Sequence, residues 1–142
     1  MMSWIAALGG FLLVPVAGSL ASRVAFDAAK PKDISTTLLI GAACHAAVGY
    51  GSYALSEKTQ APGLQSFAYG GAWGSGIASG LLAAGAGYAM TPTGKMKLAG
   101  ANAALKSGDL VMSANPMSQA PLAAPTGILG LLTVAKSHGY SV

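Results

Sequence analysis

The sequence predicts an all-α integral membrane protein with three transmembrane helices, a short amphipathic helix and an irregular Pro/Ala-rich C-terminal tail. Apolar residues make up 53% of the 142 residues and charged residues only 8%, which is unusual for a soluble domain. The mean hydropathy is positive. Twenty glycines also favour closely packed membrane helices.

The positions of the charged residues divide the chain into candidate membrane spans. Three long segments carry no charge: residues 1–22, 34–56 and 59–94. A helix needs about 20 apolar residues to cross a bilayer. We therefore predict spans at residues 4–22, 34–56 and 64–90. With a short helix at 96–107 they form one membrane domain, residues 1–107, followed by a tail, residues 108–142.

The loop charges predict the orientation of these spans, because lysine and arginine are retained on the cytoplasmic or equivalent side. The second loop has only Lys58, whereas the segment after the third span has Lys95, Lys97 and Lys106. We expect the N-terminus outside and the C-terminus on the matrix, stroma or cytoplasm side. The first loop is also basic and is expected to contact the head groups of membrane lipids through Arg23, Lys30 and Lys32.

An alternative interpretation makes residues 1–22 a cleaved secretory signal, since "AGSLAS" has the small residues of a cleavage site. The absence of a basic residue before the apolar run opposes this interpretation. Pro15 is instead expected to kink a permanent helix, with its freed carbonyl satisfied by neighbouring groups.

The segment after the third span is predicted to form a short helix at residues 96–107. Leu98, Ala101 and Leu105 share one of its faces. This pattern fits either a helix in the membrane interface or an ordinary solvated helix. Gly108 and Asp109 are expected to end it.

The tail contains three prolines within ten residues, which exclude a continuous helix up to Pro125. The apolar run at residues 128–134 is too short to span, and a fourth span would have to include Pro121 and Pro125. We expect residues 113–142 to lie along a partner subunit. The predicted buried contacts are Ile128, Leu129, Leu131 and Leu132.

The third span carries two pairs of glycines spaced four residues apart, Gly70 with Gly74 and Gly76 with Gly80. Rows of small residues allow close helix packing in the absence of water. With two such faces on one helix, one face is expected to meet another chain. Trp73 lies deep in the span and is expected to be a packing residue.

His45 lies near the middle of the second span, where an ionisable residue indicates function. Gly41 and Gly49 lie one turn before and after it. In one interpretation, neutral His45 is an axial ligand of haem or chlorophyll, with a partner chain completing the site. In the other, the imidazole hydrogen-bonds to an adjacent helix. We favour the second, because one histidine supplies only one axial position.

The sequence contains no constellation of residues that is typical of an enzyme. His45 and His138 are the only histidines, Cys44 is the only cysteine, and the four acidic residues are scattered. No Gly-rich loop is followed by Lys-Ser or Lys-Thr in the phosphate-binding spacing. We therefore predict no catalytic activity, no metal site and no nucleic-acid partner.

Two short segments resemble the transmembrane protein fourteen family of small organelle membrane proteins. "GSYALSEKTQAP", residues 51–62, is similar to the Gly-Ala-Tyr-x-Leu-Ser segment that closes that family's second helix. "TGKMKLAG", residues 93–100, is similar to the family's Ser-Gly-Lys-x-Met-Pro-Ala-Gly turn, with Leu98 in place of the proline. The resemblance covers about residues 34–105. It implies a role in the movement of fatty acids or haem precursors.

Two functions remain from the sequence. The favoured one is a non-catalytic accessory subunit of a larger membrane complex of respiratory or photosynthetic electron-transport type, with other membrane subunits as partners. We expect it first in the mitochondrial inner membrane and next in a plastid membrane. The alternative is the small carrier that the resemblance implies. Carriers of charged-headed substrates are expected to have polar groups near mid-membrane, where His45 is nearly alone.

Overall fold

The computed structural model describes residues 3–112, and this part of the chain is helical and contains no strand. Three long helices, α1 to α3, pack against one another, and two short helices follow. Because the connections between the long helices are short, consecutive helices run antiparallel. The helices are α1 Trp4–Ala29, α2 Ile34–Lys58, α3 Pro62–Met90, α4 Pro92–Lys97 and α5 Ala99–Ser107.

Two of the described helices, α1 and α2, are long and apolar enough to cross a membrane. Helix α3 is the longest, with 29 residues, but it is not among the helices that meet this criterion. Glycine, serine, tyrosine and tryptophan take the place of aliphatic residues along much of its length. The third span, at residues 64–90, therefore stays a prediction.

Helix α1 continues seven residues beyond the predicted end of the first span, from residue 22 to Ala29. It ends where Pro31 disfavours helical backbone at the preceding residue. Lys30 adopts a left-handed conformation with φ 48°, and its N–H donates to the Phe26 carbonyl at 2.8 Å. Arg23 and Asp27 consequently lie on the helix and not in a loop.

The predicted helix at residues 96–107 is divided at Leu98 into α4 and α5. Its apolar face packs against the long helices. Leu105 is only 1% exposed and belongs to a cluster with Phe26 and Ile34 at the end of the bundle. Gly108 ends α5, as predicted, with φ 84°, a conformation that glycine adopts readily.

The interior of the bundle is small and partly polar, whereas much of its surface is apolar. Among the described residues, six polar residues are completely buried, with 0% exposure: Ser19, Ser22, Thr37, His45, Ser66 and Ser75. In contrast, Trp4 is 73% exposed and Tyr50 is 75% exposed. The predicted contacts of the tail at Ile128, Leu129, Leu131 and Leu132 lie outside the described residues.

Candidate functional site

One side of α3 lies directly against the backbone of α1. A Cβ atom added at Gly70 would overlap the Ala7 carbonyl, and one added at Gly74 would overlap the Phe11 carbonyl. Gly10 of α1 approaches the Phe67 carbonyl in the same way. Both helices therefore need glycine at the crossing, because any side chain would separate the two backbones. We call Gly70 and Gly74 the inner face of α3.

The second pair of glycines points away from the bundle. Gly76 and Gly80 are exposed, and a Cβ added at either would meet nothing within 4 Å. Gly87 has the same open surroundings. Together with exposed Ala83 these residues form a row with spacings of four, three and four residues. We call this row, with the adjacent Ile77, the outer face of α3.

Trp73 lies at the surface of the bundle and is 59% exposed, so its role as a packing residue stays a prediction. It borders an apolar groove of about 460 Å³ between α1 and α3. It is lined by Trp4, Ala7, Leu8, Phe11, Tyr69, Gly70 and Trp73.

His45 is buried between the three long helices, and its imidazole fills a notch in α1. A Cβ added at Gly18 would overlap the ring. Gly49 faces α3, where its added Cβ would lie 3.2 Å from the Cβ of Ser75, and Gly41 is also buried. The imidazole thus takes up the space at Gly18, and α3 takes up the space at Gly49. The alternative in which His45 is an axial ligand of haem or chlorophyll stays a prediction.

Serine side chains contribute further polar groups to the interior, which the sequence analysis missed. Ser79 donates to the Ala42 carbonyl at 2.8 Å, across the contact between α2 and α3. Ser52 donates to the Ala68 carbonyl at 2.7 Å across the same contact. Such bonds hold helices together where water is absent. The recurrence of serine at helical spacing, as at Ser75 and Ser79, was the available signal.

The charged residues are concentrated at one end of the bundle, which we call the basic end. The C-terminus of α1, the N-terminus of α2, the C-terminus of α3 and α5 meet there. Six cationic and three acidic side chains give this end a net charge of 6 − 3 = +3. At the opposite end, the charges of Glu57 and Lys58 cancel each other. The cationic residues are Arg23, Lys30, Lys32, Lys95, Lys97 and Lys106.

The residues predicted to contact lipid head groups all lie at this basic end and are exposed. Lys30 and Lys32 border a cavity of about 290 Å³ whose apolar walls include Phe26 and Leu105. Arg23 lies on the last turns of α1 and does not line this cavity. The three predicted residues are therefore near one another but do not form one site.

Asp33 caps α2 at the basic end. Its carboxylate accepts hydrogen bonds from the Thr36 N–H at 2.7 Å, the Thr36 hydroxyl at 2.9 Å and the Ser35 hydroxyl. Partial burial alone would raise the pKa of Asp33. The hydrogen bonds from Ser35 and Thr36 and the nearby charge of Lys106 outweigh it and lower this pKa below its ordinary value of 3.8.

A second cavity at the basic end, which we call the basic cleft, has a volume of about 500 Å³. Helix α5 is held beside it by Asn102, whose side-chain oxygen accepts a hydrogen bond from the Ile34 N–H at 2.8 Å. The cleft is lined by Asp33, Ser35, Ala89, Lys95, Ala99, Asn102, Ala103 and Lys106.

Among residues 3–112, no group of three or more His, Cys, Asp or Glu side chains is arranged to hold a metal ion. The features that stand out in this part of the chain are the outer face of α3, the apolar groove and the basic cleft. No protein-family model, no curated protein and no solved structure matches the chain.

Proposed function

We propose that this chain is a non-catalytic accessory subunit of a larger membrane complex and that it binds a neighbouring subunit through the outer face of α3. The observation that carries this proposal is the different environment of the two glycine pairs. Gly70 and Gly74 are used in the contact with α1, whereas Gly76 and Gly80 have open space where a side chain would stand. A row of small residues on an exposed helix face can accept a second helix closely.

A membrane location is supported by the distribution of apolar and polar residues. Large apolar side chains such as Trp4, Leu13 and Tyr50 are at least 61% exposed. A protein in water would bury such groups, since exposed apolar area is unfavourable there. Two helices of spanning length and composition are consistent with lipid as the surroundings.

The apolar groove extends the proposed interface. Trp73 borders the groove and stands one turn before Ile77 on α3. A neighbouring helix that crossed α3 at Gly76 and Gly80 would therefore also cover Trp73. Aromatic side chains that become buried at an interface contribute strongly to binding. The groove and the outer face together supply both close backbone approach and a large apolar contact.

A carrier function is less well supported by the geometry. Helices α1 and α3 lie in close contact at Gly10, Gly70 and Gly74, and His45 of α2 fills the space beside Gly18 of α1. The groove and the two cavities described above lie at the surface of the bundle. A carrier would bind its substrate between its helices, near mid-membrane.

Extraction of native membranes with a mild detergent tests the proposed function. We expect the wild-type chain to migrate with a large complex, and we expect Gly76→Leu/Gly80→Leu to migrate as a small species in the same membranes. Gly51→Leu is the matched control, because Gly51 is also exposed on a long helix and has nothing within 4 Å of an added Cβ. A wild-type chain that migrates only as a small homo-oligomer would favour a carrier instead.

A further inference from the structure

The basic cleft contains two lysines that form no ion pair within the described residues. Lys95 lies in the last turn of α4, and Lys106 lies in the last turn of α5. Both are exposed, and both line the same cavity of about 500 Å³. The two lysines lie on α4 and α5, which are joined at Leu98. The fold therefore brings both lysines to one cavity.

The cleft also has a neutral donor. Asn102 accepts the Ile34 N–H through its side-chain oxygen at 2.8 Å, which requires its NH₂ group to lie on the other side of the amide. A backbone N–H can bond only to an acceptor, so the orientation of this amide is determined. The NH₂ group is left as a donor on a residue that lines the cleft.

The cleft carries one negative charge, at Asp33. Three hydrogen bonds from Ser35 and Thr36 already occupy its carboxylate. With Lys95 and Lys106 the cleft has a net charge of 2 − 1 = +1. Asp33 therefore reduces the attraction for an anion without abolishing it.

We propose that the basic cleft binds a phosphate group, held by Lys95, Lys106 and the side-chain NH₂ of Asn102. Three donors around one cavity suit a group with several charged oxygens, and lysine binds phosphate as a point charge. The position of the cleft favours a phospholipid head group as the source. It lies beside Ala89 at the C-terminal end of α3, where the apolar helices of the bundle end, and basic pockets in that position are typical of lipid phosphate sites.

The binding test uses the full chain and does not depend on the outer face of α3. The chain is placed in phosphatidylcholine nanodiscs that contain phosphatidic acid as the minor lipid. The protein is then released from the nanodiscs, and native mass spectrometry counts the phosphatidic acid molecules that stay bound to it. Lys95→Gln/Lys106→Gln is expected to weaken retention about 30-fold, since each lysine contributes about 1 kcal/mol. Lys58→Gln/Lys97→Gln removes the same charge from exposed positions outside the cleft. This control is expected to retain the lipid almost as well as the wild-type chain.

A third variant gives a change in the opposite direction. Asp33→Asn removes the negative charge of the cleft but keeps a good N-cap residue for α2. We expect this variant to retain phosphatidic acid about fivefold more strongly than the wild-type chain. A residue with a purely structural role would not increase retention.

The same proteins in detergent are titrated with inorganic phosphate and followed by phosphorus NMR. Binding that depends on Lys95 and Lys106 in this experiment identifies free phosphate as a ligand, whereas such dependence only in nanodiscs identifies the lipid head group. Either result supports the phosphate site. Equal weakening by the two double variants, or no binding of either probe, would overturn it.

Discussion

The carbonyl oxygen of Phe11, which Pro15 deprives of its helical hydrogen bond, lies against the Cα of Gly74. In an uninterrupted helix this carbonyl would accept from the N–H of residue 15, but proline has no N–H to donate. A Cβ at Gly74 would overlap the oxygen. The glycine Cα–H group is thus the neighbouring group that meets the freed carbonyl, a weak interaction that recurs at helix crossings.

Gly74→Ala is therefore expected to destabilise the bundle by about 1–3 kcal/mol, because the added methyl group must push α1 away from α3. The matched control is Gly80→Ala on the same helix, where the new methyl group meets nothing within 4 Å. This change should be neutral or stabilising by up to about 1 kcal/mol, since alanine favours helix more than glycine does. Unfolding of the two variants in mixed detergent micelles measures the difference. Equal destabilisation by both would show that the faces of α3 are wrongly assigned.

Gly18 and His45 should be energetically coupled, because the imidazole occupies the space where a side chain at Gly18 would stand. Gly18→Ala is expected to destabilise by overpacking and His45→Ala by leaving a cavity. The double variant should be more stable than the sum of the two effects predicts, by about 0.5–3 kcal/mol. Thermal unfolding of the four proteins gives this coupling free energy. Strict additivity would mean that the ring does not fill the notch.

Asp33 should make the stability of the chain depend on acid pH. Its pKa is lower in the folded chain than its ordinary value of 3.8. The stabilisation is therefore fully present above about pH 4 and is lost as the pH falls through the lowered pKa. The difference in free energy of unfolding between wild type and Asp33→Asn should shrink over this range. A difference that grew on acidification would have the opposite sign and would contradict the hydrogen bonding at the cap.

A substitution at Leu105 tests whether α5 packs against the long helices. Leu105→Ala is expected to cost about 2–5 kcal/mol, because its side chain is almost completely buried against Phe26 and Ile34. Met96→Ala is the control, since Met96 is 72% exposed on α4 and should cost little. The free energy of unfolding of each variant provides the measurement. A helix that lay in the membrane interface would show no such difference in intrinsic stability.

The bounds of the helices could be predicted where the local sequence determines them. The start of α2 was predicted at residue 34, because the uncharged segment begins there, and in the structure Asp33 is its N-cap residue. The end of α1 was not, because Arg23 and Asp27 resemble loop residues although nothing before Pro31 prevents a helix. The break at Leu98 was not predicted either.

The environment of each glycine pair could not be predicted from spacing alone. Gly70 with Gly74 and Gly76 with Gly80 have the same separation. Only the first pair lies against the backbone of α1, at Ala7 and Phe11. The contact between Gly18 and His45 joins two helices and has no local signal either. Tertiary contacts of this kind are decided by the packing of whole helices.

Site-specific photo-cross-linking tests whether the outer face of α3 lies against a different protein. A photoreactive side chain replaces Ile77 on the outer face, with Tyr50 on α2 as an exposed control position, and native membranes are irradiated. We predict a protein adduct from position 77 whose mass includes a chain other than this one, and none of comparable yield from position 50. An adduct that joins two copies of this chain, or equal yields from both positions, would mean that the outer face of α3 does not lie against a different protein.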